Sequence, residues 1–499
     1  METESLRPLM AIVVSLVGAT LIVVTRKSPN LREGCSLATA ITKFLIVASM
    51  LPAILEGHSF QYTLFSFLPN IPIRFRVDAL GILFALLSSF LWIVTTVYSI
   101  GYMRSLNEHA QTRYYACFAL TLSATIGVAF SSNLMTLYFF YEVLTLVTYP
   151  LVAHKETEES FAGANKYLFY LVGTSKAFLL VAIIGTYALS GTLDFNQGGL
   201  FPSDANPVAL ILLYLLFLAG IGKAAIIPFH TWLPAAMVAP TPVSALLHAV
   251  AVVNTGVFCI FRIILQVFGV ARMEALYLGW VTVILASITL VMASLYALSR
   301  DNLKTRLAYS TVSQLSYMIL GGGLLSASGM AGGVGHIVNH AFSKITLFFC
   351  AGSIYAATHK TNISQMGGIG RKMPWTMTAF SVGALSMIGV PLMAGFVTKW
   401  QLALGSIESG EKWVLGVLLI STLLNAGYFL PIIYKAFFDV PLQHGEMILQ
   451  GDPHTEIQGE EGGEPSLLMV VPLLLTAAAS LFLGVYPEIL SSLIRLVIR

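Results

Sequence analysis

The chain has 499 residues, 57% hydrophobic and only 10% charged, with a formal net charge of +3 and a mean hydropathy of +0.81. Soluble globular domains are about one-quarter charged, so the composition excludes them and defines a polytopic membrane protein. The positive charge is small and dispersed, with no Lys/Arg-rich arm, and gives no support to nucleic-acid binding.

A hydrocarbon core about 30 Å thick takes roughly 20 residues of helix. That length predicts an all-α protein with about fourteen transmembrane helices, near 8–25, 35–55, 78–97, 114–131, 134–152, 165–189, 207–227, 241–263, 275–298, 305–325, 334–357, 375–400, 413–438 and 467–490. The first follows "METESLRP" without a small-residue cleavage pattern after it and reads as a retained span. Arg26, Lys27, Arg32, Arg104, Arg113, Lys155, Lys166, Arg300, Lys304, Arg306, Lys360, Arg371 and Lys372 fall on one side under strict alternation. The positive-inside tendency makes that side cytoplasmic and turns both termini outward. Cys35, Cys117, Cys259 and Cys350 stand singly in or beside apolar runs, as small core residues and not as disulfide or iron–sulfur ligands. The insert "QHGEMILQGDPHTEIQGEEGGEP" at 443–465 reads as a mobile, solvated cytoplasmic loop; its histidines and acids are too irregularly spaced for a metal site.

A charge in a span costs at least a few kcal/mol and marks an ion route or an internal pair. In chain order the first is Glu142, in "TLYFFYEVLTLVTYPLVA", a carboxylate that can tune a nearby lysine. Lys176 lies about eleven residues into the sixth expected span, too deep to snorkel easily, and is expected to connect Glu142 to Lys223. Lys223 itself is followed by Pro228 and His230; Pro228 frees backbone groups that a water-filled cavity would satisfy. If the helix continued, His230 would lie two turns on from Lys223, on the same face. Pro240 and Pro242 suit a helix start, placing His248 in the interior of the eighth span. "GHIVNHAFSKITLFF" sets His336, His340 and Lys344 at spacings of four, one stripe on one face, and reads as a proton relay. Lys399 follows the glycine–proline interruption of "GVPLMAGFVTK", which echoes the Lys223 segment five spans earlier. Tyr309, Thr311 and Ser313 either fill gaps between these groups or simply pack the bundle. No catalytic, cofactor-binding or metal-binding constellation is expected, and "LGGGL" at 320–324 reads as close helix packing, not a phosphate loop.

"GKAAIIPFHTWLPAAMVAPTPVSALLHAVAVV", "DNLKTRLAYSTVSQLSYM", "NHAFSKITLFF" and "GVPLMAGFVTK", in this order, resemble the antiporter-like membrane subunits of multisubunit sodium/proton antiporters, membrane-bound hydrogenases and respiratory complex I. The resemblance runs over roughly 75–435. It implies fourteen helices, with broken helices seven and twelve and two inverted five-helix repeats at 114–263 and 275–438. These would be flanked by an N-terminal segment at 1–113, the acidic loop at 439–466 and a last helix at 467–499. It also implies a proton route through Glu142, Lys223, His248, His340, Lys344 and Lys399, with Asn254 standing where similar chains carry lysine. The central connection is then left to His248 or bound water, or the chain belongs to a hydrogenase-like or divergent branch. The expected partners are the other membrane subunits of a hetero-oligomeric complex in the inner (plasma) membrane, the lipid bilayer, protons and Na⁺, with no cofactor. The competing readings are the same module in a redox-driven hydrogenase or NADH/quinone dehydrogenase, and a structural scaffold whose buried charges are inert pairs.

Overall fold

The computed structural model describes residues 2–68, 71–439 and 463–498. Strand β1 (Glu2–Glu4) precedes α1 (Arg7–Val24), α2 (Pro29–Ala48) and α3 (Leu51–Leu55), after which β2 (Ser59–Leu68) and β3 (Ile71–Val77) form a hairpin. β2 pairs parallel with β1 and antiparallel with β3. This small sheet departs from an all-helical expectation, and its signal lies in "IPIRFRV". Ile73, Phe75 and Val77 are buried while Arg74 and Arg76 alternate outward, the period of a half-buried strand. Arg74 pairs with Asp194 at 3.3 Å, and Arg76 donates to the Phe195 carbonyl.

The first half of the bundle continues with α4 (Ala79–Ser105), α5 (Gln111–Ala129), α6 (Leu134–Val152) and α7 (Glu158–Thr174). A π-helical turn (Ser175–Leu179) joins α7 to α8 (Leu180–Ser190), and α9 (Pro207–Gly220), α10 (Trp232–Ala235), α11 (Thr241–Ala249) and α12 (Val252–Arg262) follow. A second π-helical turn (Ile263–Phe268) and α13 (Val270–Ala275) lead to α14 (Leu278–Leu298), α15 (Leu303–Gly323) and α16 (Ala327–Thr358). The last elements are α17 (Ile369–Lys372), α18 (Pro374–Ile388), α19 (Ala394–Glu408), α20 (Trp413–Phe438), α21 (Leu467–Val485) and α22 (Glu488–Ile498). Every one of the expected intervals overlaps a helix. Ten helical segments among the described residues are long and apolar enough to cross a membrane, so the expected fourteen is not reached on length and composition alone. α5 and α15 are of spanning length but more polar, and two further passages are interrupted.

Those interruptions are the predicted broken helices, and a third joins them. After α9, the single 3-10 turn Gly222–Ala224 ends at Ala225, at φ 53°. α18 stops at Ile388 and α19 resumes at Ala394. Gly389 sits at φ 92°, and a Cβ there would lie 2.8 Å from Lys399 Cδ, so both backbone and space call for glycine. The unexpected break separates α11 from α12, with Val250 at φ −134°. The glycines of "LGGGL" are close-packing positions: a Cβ at Gly321 would lie 2.6 Å from the Gly329 carbonyl oxygen, and one at Gly323 would lie 2.9 Å from Thr282.

Most of the acidic insert lies outside the described residues. Glu464, which is described, accepts from the Trp375 and Thr376 amides at 2.6 and 3.1 Å and from the Thr376 hydroxyl, capping the start of α18. The four cysteines are all free.

The two ends of the first half are tied by a residue pair that composition does not reveal. Asp78 caps α4 through the Gly81 amide at 2.8 Å and pairs through both oxygens with the Arg262 guanidinium, whose side chain is 1% exposed. Gln266 completes the cluster, accepting from Arg262 at 2.7 Å and donating to Asp78 at 3.2 Å. Removing one partner of a buried pair leaves the other charge uncompensated, a cost of about 3–5 kcal/mol. Asp78 is partly exposed, so Asp78→Asn is expected to fall near the lower end. The check is the thermal unfolding midpoint of the purified complex, which drops if the pair stabilises α4 against α12 and stays unchanged if it does not.

Candidate functional site

Lys223 is completely buried in the turn after α9. Its Nζ donates to the Tyr141 carbonyl at 2.8 Å and to Thr145 Oγ1 at 2.6 Å, and lies 3.2 Å from the centroid of the Tyr141 ring. α6 thus supplies a carbonyl, a hydroxyl and an aromatic face to one ammonium. The turn is fixed from two sides. Trp232 Nε1 donates to the Gly222 carbonyl at 3.1 Å, and Gly256 of α12 lies so close that a Cβ would meet Ala224 N at 2.2 Å and Lys223 C at 2.4 Å. Gly256→Val is therefore expected to push the turn off α12 and carry Lys223 away from Thr145. A drop in proton flux of at least about tenfold, the equivalent of about 1.4 kcal/mol, is predicted in the assembled complex; wild-type flux would show that Lys223 tolerates displacement.

Glu142 follows Tyr141 on α6. It forms no ion pair with Lys223, and its buried Oε1 receives no hydrogen bond from the described residues.

From Lys223 a line of hydroxyls leads along α6. Thr148, one turn on from Thr145, donates to the Leu144 carbonyl at 2.7 Å, with the Thr145 carbonyl at 3.1 Å, and shares a 2.5 Å hydrogen bond with the Tyr167 hydroxyl of α7; the Tyr167 ring packs edge-on against Trp232. Lys166, beside Tyr167 in sequence, lines a cavity of about 660 Å³ together with Lys155, Glu159, Ala235, Val238 and Lys304. Three bases assigned to one membrane side from sequence, Lys155, Lys166 and Lys304, thus converge on one opening.

The second half repeats the device at the other break. Lys399, on α19, reaches back to the Met387 and Ile388 carbonyls at 2.9 Å each. These are terminal carbonyls of α18, left without intrahelical partners and carrying the negative end of its dipole. Its Nζ lies 4.6 Å from the centroid of the Tyr317 ring. Lys344 of α16 is fully buried and donates to Ser310 Oγ at 2.9 Å and the Leu307 carbonyl at 3.3 Å.

A continuous chain joins the two. The Tyr428 hydroxyl of α20 bonds Ser310 Oγ at 3.0 Å and the Asn425 amide at 2.6 Å. With its amide oxygen turned toward the donors around it, Asn425 accepts from Lys399 Nζ at 3.2 Å and Gln314 Nε2 at 3.1 Å; lysine and amide N–H groups can only donate, which fixes that orientation. Gln314 Oε1 bonds His336 Nε2 at 2.9 Å, and His336 Nδ1 bonds Thr398 Oγ1 at 2.7 Å. Thr398 lines a second cavity, of about 580 Å³, between α16, α19 and the C-terminal helices.

The structure brings most of the predicted residues together and moves others. His336, His340 and Lys344 form the expected stripe, with the two imidazoles 6.3 Å apart. The α15 groups that meet it are Ser310, Gln314 and Tyr317; Ser313 instead bonds Ser294, and Tyr309 packs near Arg300 and Tyr296. Lys176 is exposed on the π-helical turn and makes no hydrogen bond to Glu142 or Lys223, so it does not connect them. His230 is not on the face of Lys223, because the helix breaks between them; its ring lies parallel to Tyr296 at 6.1 Å. Pro228 is exposed and does not line the cavity that Lys166 lines.

His248 lies in α11, but its side chain is outside the described residues. Asn254 is buried and donates to the Ala249 carbonyl at 2.7 Å, satisfying backbone freed by the third break. Among the described residues no side-chain hydrogen bond joins the Lys223 group to the Lys344 group. Sequence reasoning also missed Lys43, fully buried on α2, with Nζ 5.1 Å from the Trp92 ring centroid; its signal was a lysine within the second expected span.

A bundle with broken helices and buried lysines on neutral acceptors defines an antiporter-like membrane subunit. Residues 131–425 match the family described as NADH:quinone oxidoreductase/Mrp antiporter, TM, and the chain belongs to that family. It is 30% identical to the NADH-quinone oxidoreductase subunit N of Desulforudis audaxviator, over 98% of this chain and 97% of that protein. It is also 30% identical to the chloroplastic NAD(P)H-quinone oxidoreductase subunit 5 of Chara vulgaris, over 91% and 70%. Two solved structures share the fold. A chain of the membrane-bound sulfane sulfur reductase, an archaeal respiratory membrane complex, superposes with a TM-score of 0.85 at 23% identity, covering 99% of this chain and 97% of that one. A chain of the Mrp complex from Dietzia sp. gives 0.84 at 21% identity, covering 99% and 96%.

Proposed function

We propose that this chain translocates protons through its own bundle, as one membrane subunit of a hetero-oligomeric complex. The observation that carries the reading is that Lys223, Lys344 and Lys399 are buried on carbonyls and hydroxyls, and none is in the ion pairs among the described residues. A lysine in an ion pair is held in its charged form by the carboxylate, whereas one on neutral acceptors still donates two hydrogen bonds as an amine and can release and regain a proton. This weighs against the scaffold reading, which requires inert pairs. Protons would pass from the Lys166 cavity through Tyr167 and Thr148 to Lys223. They would cross the centre by His248 or water, pass Lys344, Tyr428 and Asn425 to Lys399, and reach the second cavity through Asn425, Gln314 and His336, or run in reverse. Glu142 would bias Lys223 through its charge.

The two five-helix units, α5 to the end of the second π-helical turn and α14 to α20, would be inverted repeats, since an odd number of passages separates the two lysine-bearing breaks. With its basic loops facing the cytoplasm of a plasma membrane, the chain would open the Lys166 cavity to the cytoplasmic side and hold both termini outside.

Two drivers are proposed for the same bundle. The quinone oxidoreductase names of the curated relatives support coupling to a redox enzyme, whereas "HAVAVV" and the Mrp fold neighbour support sodium/proton exchange, as in antiporters of the Mrp type. Vesicles carrying the purified whole complex separate them. Proton movement on imposing a Na⁺ or K⁺ gradient identifies an antiporter; movement only on adding electron donor and quinone identifies a redox-driven pump. Neither response in an intact complex would overturn translocation.

A further inference from the structure

Two loops assemble a cluster that the proton pathway does not use. Glu108 and His109 lie between α4 and α5, and His154 follows the end of α6; one ligand atom from each lies within 4.8 Å of the other two. His154 is completely buried, and neither ring nitrogen makes a well-formed hydrogen bond, its nearest backbone partner being His109. Its Nε2 lies 3.7 Å from Glu108 Oε2, and His109 Nδ1 lies 3.9 Å from the same oxygen. The two imidazoles are 4.9 Å apart, centroid to centroid.

A buried ring whose nitrogens lack well-formed hydrogen bonds is costly, and its neighbours relieve it little. Arg113, the nearest cation, pairs with Glu156 and donates to the His154 carbonyl at 3.1 Å. It fixes the backbone and leaves the ring nitrogens without a well-formed hydrogen bond. Tyr114 meets the ring edge-on at 5.8 Å.

We propose that Glu108, His109 and His154 form a binding site for a divalent transition metal of the Zn²⁺ class, with three protein ligands and a remaining position for solvent. Two imidazoles and one carboxylate suit that class, whereas Mg²⁺ and Ca²⁺ require oxygen-rich shells. Zn–N distances of about 2.0–2.1 Å put tetrahedral ligand atoms about 3.4 Å apart, so the cluster closes by roughly 1 Å on binding. His109, whose side chain is 50% exposed, supplies that movement. The bound metal clamps the α4–α5 loop to the end of α6, the helix that carries both acceptors of Lys223. No sequence pattern announces the site, because the ligands come from "EH" and "AH" in separate loops, with no internal spacing to read.

The test is Zn²⁺ titration of the purified, chelator-stripped complex, with His154→Ala, Glu108→Gln and His109→Ala variants. Wild-type complex is expected to bind one more Zn²⁺ per copy of this chain than the His154→Ala complex. Glu108→Gln and His109→Ala are expected to weaken that site at least about tenfold, and excess Mg²⁺ should leave it filled. If His154→Ala fails to assemble, the exposed His109→Ala variant decides. Equal stoichiometry and affinity in wild type and the assembled variants, or displacement by Mg²⁺, would overturn the site.

Discussion

Lys223→Met is expected to leave the complex assembled while proton flux falls at least about tenfold, toward background. Methionine is similar in length and apolar, so it fills the site between Tyr141, Thr145 and α12 without a cavity. The native ammonium makes two hydrogen bonds to α6. Their loss leaves a hydroxyl that already lies within reach of its own helix carbonyl, Thr145 Oγ1 to Tyr141 at 3.2 Å, so the structural cost is small. What disappears is the titratable group between Tyr167 and the centre. Intact subunit composition by native gel, together with dye-reported flux in vesicles, separates this outcome from the scaffold reading, which predicts that assembly and flux fail together.

Tyr428→Phe is expected to act nearly as strongly while changing one atom. Among the described residues the Tyr428 hydroxyl joins Ser310, and so Lys344, to Asn425, and so Lys399 and Gln314. Phenylalanine keeps the ring and its packing on Phe429 but removes one hydrogen bond from each neighbour, while Ser310 keeps Lys344 and Asn425 keeps the Ser421 carbonyl. A lost buried hydrogen bond costs about 1–3 kcal/mol, which as a barrier is roughly 5- to 150-fold in rate. The expected result is a fall in that range with normal assembly. Unimpaired flux in Tyr428→Phe would show that protons pass the second half by another route.

The architecture was legible wherever one physical rule dominated. Length and hydropathy located α6 and α20 to the residue, and the glycine–proline punctuation at Gly389 and Pro391 located the second break. The i, i+4 spacing put His336, His340 and Lys344 on one stripe because α16 is unbroken through them. What failed needed knowledge of a neighbour. Depth in a span says nothing of angle, so Lys176 was placed inside although it faces outward. Polar residues occur on several faces of α15, and only its packing against α16 and α20 selects Ser310, Gln314 and Tyr317. The break after Ala249 has no glycine or proline to announce it, and Asn254, read as a missing lysine, has its amide committed to that break. Asp78 and Arg262 lie far apart in sequence and meet only in the fold.

The most direct test of translocation through this chain is proton flux in vesicles carrying the whole complex with Lys399→Met, the lysine farther along the chain of hydrogen bonds and remote in sequence from Lys223. A path that uses both halves predicts an assembled complex whose flux is lost under every drive that works for wild type, whether Na⁺, K⁺ or electron transfer. Wild-type flux from the assembled Lys399→Met complex would contradict it.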